Sequence, residues 1–121
     1  MRGRTWVKSR VSDQRWAQVF RADALTEQGG ACCYCYEPLT SKTVTADHVR
    51  PRIKGGVTER KNIKASCRAC NMAKSAMTPT GFVAAIKYPK PGDSIHIWFA
   101  HYRRRIFLAT ARACERIRSA A

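Results

Sequence analysis

Two short cysteine pairs, Cys32/Cys35 and Cys67/Cys70, restrict what this chain can become more than any other feature. A Cys-x-x-Cys turn presents two thiolates on one side of a tight loop, half of a tetrahedral site for Zn²⁺. Two such turns complete the site and tie together the ends of the segment between them. That segment carries Asp47-His48 and Asn62, so the staple closes a loop holding an acid, an imidazole and an amide. Cys33 competes with Cys32 as a ligand, although only Cys32 repeats the two-residue spacer of the second pair. Cys114 reads as a small buried hydrophobe on a helix. A disulfide framework is disfavoured, because Met1 to Arg10 is polar and basic without the apolar stretch of a signal peptide. The expected setting is cytoplasmic, where a reducing environment favours metal thiolates. On spacing alone, a purely structural zinc ribbon is the competing reading.

The 121 residues are expected to form one domain with an appended helix, whose core is small enough that a structural metal would help hold it. No run of about 18 apolar residues exists, so no membrane span is expected. The formal charge is +15, and residues 43–77 are the most basic part, not either end. Such a spread points to a polyanionic partner, DNA or RNA. A ribosome-type structural binder or a membrane-surface binder would share the charge. No amphipathic Lys-rich terminal helix favours the membrane surface.

Residues 1–11 read as a basic arm able to lie along phosphates. Ser12 is the expected N-cap of a first helix, with Asp13 in its first turn. Trp16, Val19, Phe20 and Ala24 recur at helical spacing and are expected to pack on the zinc module, before Gly29-Gly30 ends the helix. Thr43–Ala46 suits a strand with Asp47-His48 at its end, and residues 62–66 suit the returning strand. Arg50, Arg52, Lys54 and a Gly55-Gly56 turn lie between them. Arg68 to Met77 reads as a helix halted before Thr78-Pro79. The order is knuckle, strand, loop, strand, knuckle, helix: a zinc-bound ββα unit within residues 12–92. Thr80 to Ile86 suits a short helix. From residue 93 to 121 a last helix follows, with Ile95, Trp98, Phe99, Tyr102, Ile106, Ala109, Ala113 and Ile117 expected to face the core. Arg103, Arg104, Arg105, Arg112 and Arg116 would then remain for DNA, a partner or water. His96 and His101 do not share a face, which excludes a metal site between them.

Eight elements in order, Cys32/Cys35, Asp47-His48, Pro51-Arg52, Gly55-Gly56, Asn62, Cys67/Cys70, Asn71 and Lys74, resemble the HNH endonuclease family over residues 30–77. The resemblance implies an α+β, mainly helical chain with a zinc-stapled ββα-metal core, treble-clef-like, flanked by N- and C-terminal helices. It implies that Asp47 and Asn71 hold the catalytic metal, that His48 is the general base and that Asn62 braces the loop and His48. Products would carry 5′-phosphate and 3′-hydroxyl ends. Asn71 stands where many members have a second histidine, which leaves the preferred metal open. Small free-standing HNH proteins of bacteriophages are similar. That similarity implies a bacterial host cell and a terminase or another packaging protein as a further partner.

The chemistry follows from the side chains as well. Hydrolysing an anionic phosphodiester needs a base for water and a cation for the developing charge. A neutral imidazole with an ordinary pKa near 6.5 suits the first role. One carboxylate and one amide oxygen suit weakly held Mg²⁺ or Mn²⁺. Double-stranded DNA is the expected substrate, met by Arg50, Arg52, Lys54, Lys74, Arg103, Arg104 and Arg105. The leading class is a metal-dependent endonuclease of loose sequence specificity. A catalytically inactive zinc-stabilised DNA-binding module and a packaging accessory factor are the alternatives.

Overall fold

The computed structural model describes the backbone of residues 10–120 and the side chains of residues 13–111. Helix α1 (Arg10–Glu27) leads into the first knuckle, and strands β1 (Val44–His48) and β2 (Ile63–Cys67) form an antiparallel hairpin. Helix α2 (Arg68–Lys74) follows directly, then α3 (Pro79–Lys87) and the long α4 (Ile95–Ala120). The expected mainly helical α+β architecture with a ββα centre is what the chain adopts. Residues 1–9 of the expected basic arm lie outside the described residues, as do the side chains of Arg112, Ala113, Cys114, Arg116 and Ile117.

Local chemistry sets the boundaries. Gly29 and Gly30 take positive φ and end α1, where Gly30 N–H donates to Leu25 O at 2.9 Å. The side chain of Gln28 then acts as an extra strand partner. Its amide donates to Ala65 O at 2.8 Å and accepts from Ala65 N–H at 2.9 Å, fastening α1 to β2. Cys67 Sγ accepts the Cys70 N–H at 3.3 Å, so the second knuckle is also the start of α2. Thr78 caps α3 and Pro79 opens it, as a missing N–H permits there.

The core joins the knuckles to the flanking helices: Tyr34, Leu39, Val44, Phe82, Ile86, Ile97 and Ala100 are buried around the cysteines. The rings of Tyr34 and Phe82 meet edge to face at 5.0 Å. Two expected core faces are corrected. On α1, Trp16 and Val19 are about half exposed, and only Ala24 of that stripe is buried. Helix α1 also starts at Arg10, two residues before the expected Ser12 cap.

On α4 the expected inward face, Ile95, Trp98, Phe99, Tyr102 and Ile106, is the exposed one. The inward face instead carries Ile97, Ala100, His101, Arg103 and Arg104. Open backbone carbonyls explain the choice, because buried acceptors need donors more than this surface needs another aromatic. His101 Nδ1 lies 2.6 Å from Ile86 O, and Arg104 Nη1 donates to Tyr34 O at 2.9 Å.

Candidate active site and cysteine cluster

The Sγ atoms of Cys32, Cys35, Cys67 and Cys70 all lie within 4.8 Å of one another, and all four residues are buried. Cys33 is half-buried and outside that group, which settles the choice between it and Cys32. Cys35 and Cys67 sulfurs are 3.8 Å apart. Four sulfurs about 2.3 Å from a tetrahedral zinc would stand roughly 3.8 Å apart, so the donor set fits that ion. Their acidities conflict without a cation. Cys32 is drawn far below the ordinary thiol range by Cys33, Cys35, Cys67 and Cys70. Cys70 is pushed far above it by Cys32, Cys35 and Cys67. A dication removes the conflict by taking all four as thiolates.

The first strand of the hairpin that the cluster closes ends in Asp47-His48. Alternation along β1 sends successive side chains to opposite faces. Asp47 is buried and His48 half-buried, and both line a cavity of about 420 Å³ together with Pro51, Arg52, Ile53 and Asn71. His48 Nε2 lies 2.9 Å from the hydroxyl of buried Thr58. Burial, then the Arg52 charge, holds the imidazole below its ordinary 6.5, so it is neutral at physiological pH. Asn71 Nδ2 donates to Thr45 Oγ1 at 3.2 Å and to Ala46 O at 3.1 Å. Those bonds fix the amide so that its oxygen is left as a donor atom for a hard cation.

Asn62 is a loop clamp. Its Oδ1 accepts the Arg50 N–H at 2.8 Å, and its Nδ2 donates to Val57 O at 2.8 Å and Arg50 O at 3.3 Å. The clamp holds a tight turn in which a Cβ on Gly56 would stand 1.7 Å from Arg50 O, so only glycine fits. No direct bond joins Asn62 to His48 among the described residues. The loop delivers Thr58 to the imidazole instead.

Asp47 is more enclosed than a solvent-facing metal ligand. Lys74 Nζ is 3.0 Å from its Oδ1, and the Tyr34 hydroxyl donates to its Oδ2. Burial first, and then the Asp47 charge, keeps the Tyr34 phenol protonated far above its ordinary range. Lys74, expected at the DNA, is 1% exposed and also donates to His48 O at 3.2 Å. Its ammonium faces the carboxylate because a buried anion requires a counter-charge. Lys74→Met would leave that anion without its ion pair. We expect a loss of about 3–5 kcal/mol in urea unfolding, with most of it absent when Asp47 is asparagine in the same chain.

The expected DNA cations divide. Arg50, Arg52, Lys54 and Arg105 are exposed. Arg50 Nε also donates to Lys54 O at 2.8 Å, and Arg52 pairs with Asp13 at 2.9 Å. Arg103 and Arg104 turn inward. Arg104 lies 5.0 Å above the Tyr36 ring as well as on Tyr34 O, which makes both poor phosphate ligands. Sequence reasoning did not find Thr58, Tyr34 or Gln28 as site-building residues. A threonine shortly after Gly55-Gly56 carries no spacing rule, and only the folded loop brings it to His48.

Residues 32–86 match the model of the HNH endonuclease family. Over 59 residues, 48% of this chain, it is 34% identical to the CRISPR-associated endonuclease Cas9 of Corynebacterium diphtheriae. Over 58 residues it is 40% identical to the Cas9 of Actinomyces naeslundii. The chain spans 5% of the length of each of these relatives. The crystal structure of the Type II-C Cas9 enzyme from Actinomyces naeslundii superposes on 72% of this chain and 9% of its own, with a TM-score of 0.50 and 33% identity. No helix among the described residues is long and apolar enough to cross a membrane.

Proposed function

We propose that this chain is a divalent-metal-dependent DNA endonuclease that hydrolyses phosphodiester bonds with His48 as general base, on a domain folded around zinc. The observation that carries it is the single cavity onto which a neutral His48 and the anchored Asn71 both open. When Nε2–H donates to Thr58, Nδ1 keeps the lone pair that accepts a proton from water. Arg50, Arg52 and Lys54, on the loop clamped by Asn62, are placed to meet the phosphates on either side. Mg²⁺ or Mn²⁺, with Asn71 Oδ1 and Asp47 as its protein donors, would supply positive charge against the charge developing on phosphate. Lys74 already neutralises Asp47, so the residues bind such an ion weakly until DNA adds its own oxygens. The products expected are 5′-phosphate and 3′-hydroxyl ends.

A second reading, an inert zinc-stabilised DNA binder, draws on the same enclosure of Asp47 by Lys74 and Tyr34. Incubation with supercoiled plasmid separates the two. The nuclease reading expects nicked or linear DNA with Mg²⁺ or Mn²⁺ and none in EDTA. Retarded but uncut plasmid with either ion would leave only the binder. In both cases affinity should fall steeply with salt, because a chain of +15 binds mainly through phosphates.

A further inference from the structure

We propose that Arg103 is the charge-compensating partner of the zinc tetrathiolate, and that through it the docking of α4 depends on the metal. The inference rests on the zinc reading of the cysteine cluster. Residues 32–86 carry the family match, and Arg103 lies beyond them on a helix the match does not include. Its contact with the cluster is therefore a property of this chain's flank.

The observations are specific. Arg103 Nη2 lies 3.9 Å from Cys70 Sγ. Its Nε is buried with no hydrogen-bond partner among the described residues, a placement that costs free energy unless negative charge lies close by. Four thiols give little such charge. A zinc ion with four thiolates carries a net charge of 2−, and enclosing it without a counter-charge is costly. The planar guanidinium spreads several donors in one fork and can serve more than one sulfur, whereas an ammonium is a point charge.

Helix α4 needs this contact. Its buried apolar anchors, Ile97 and Ala100, lie in its first two turns. Further along, beside half-buried Phe107 and Leu108, its hydrogen bonds run inward from His101 to Ile86 O, from Arg103 to Cys70 Sγ and from Arg104 to Tyr34 O. Two of these three end on the first knuckle or the cluster. Metal and helix are thus held by one set of interactions.

The test is zinc transfer from the full chain to a colorimetric chelator. Arg103→Gln should release zinc roughly 10–100-fold faster than wild type, the range seen when partners of metal ligands are removed. Arg103→Lys should fall between them, and it keeps the test open if Arg103→Gln does not fold. Arg105→Gln, an exposed position on the same helix, should match wild type. With Co²⁺ in place of zinc, the sulfur-to-metal absorption band should move to lower energy in Arg103→Gln, a change that loss of helix packing alone would not produce. Amide exchange in α4 beyond residue 103 should quicken in the same variant. Wild-type release rates in both Arg103 variants, or an unmoved cobalt band, overturn the proposal. A wild-type protein that is folded, reduced and free of zinc overturns the zinc reading along with it, whatever the plasmid assay gives.

Discussion

Replacing His48 with alanine is expected to slow Mg²⁺-dependent plasmid cleavage by roughly 10²–10⁴-fold, the usual contribution of a positioned general base. DNA affinity should stay close to wild type, because one neutral imidazole adds little beside the exposed arginines and lysines. The pH profile carries a second signature. Burial and Arg52 lower the His48 pKa from 6.5, and only the neutral ring can accept a proton. Cleavage should therefore hold a plateau through neutral pH and fall only below 6.5, later than for an unperturbed histidine. Arg52→Gln removes one depressing cause and should move the acidic limb to higher pH. Linkage has the same direction: the unfolded chain binds this proton more readily, so His48 costs stability increasingly as pH falls below 6.5. Cleavage by His48→Ala at the wild-type rate would remove this residue from the mechanism.

The contrast between His48 and its surroundings explains what could be read in the sequence. Cys-x-x-Cys pairs, Asp-His at a strand end, Gly-Gly and Asn62 are short-range signals whose chemistry survives without coordinates. They located the four-cysteine cluster, the hairpin, and Asp47 and His48 on the cavity wall. Helix faces depended on partners far along the chain. On α4 two stripes compete: Ile95, Trp98, Phe99, Tyr102 and Ile106 form the more apolar one, and Ile97, Ala100, His101 and Arg104 the one that docks. Hydrophobic periodicity selects the first, since it gives no weight to the carbonyls of Ile86 and Tyr34 that need donors. Lys74 is buried against Asp47 rather than placed at the DNA for a related reason. A lysine one turn into a helix beside a basic loop reads as a phosphate contact until its distance to Asp47 is known. Thr58 and Tyr34 had no signal, because neither a hydroxyl beside an imidazole nor one beneath a carboxylate follows from spacing.

Stripping zinc should have the largest effect of all, because it removes the fold and not merely activity. The purified chain is expected to hold about one Zn²⁺, and chelation should abolish cooperative unfolding and the slow exchange of β1 and β2 amides. The size follows from two comparisons. Structural zinc in small domains contributes about 10–16 kcal/mol of apparent binding energy, whereas whole domains are stable by only about 5–15 kcal/mol. The buried cluster supports that inequality here, since Cys32, Cys35, Cys67 and Cys70 are themselves members of the core, packed with Leu39, Val44 and Phe82. Without the ion, four sulfurs this close must exchange protons among themselves or move apart. Moving apart separates the first knuckle, with Tyr34 on Asp47, from the second, with Asn71 and Lys74 on the following helix. Cys70→Ser should therefore reproduce the chelated state, whereas Cys33→Ser, outside the cluster, should bind zinc and unfold like wild type. A reduced protein that retains cooperative unfolding and contains no zinc by elemental analysis would show that the knuckles hold together by packing alone.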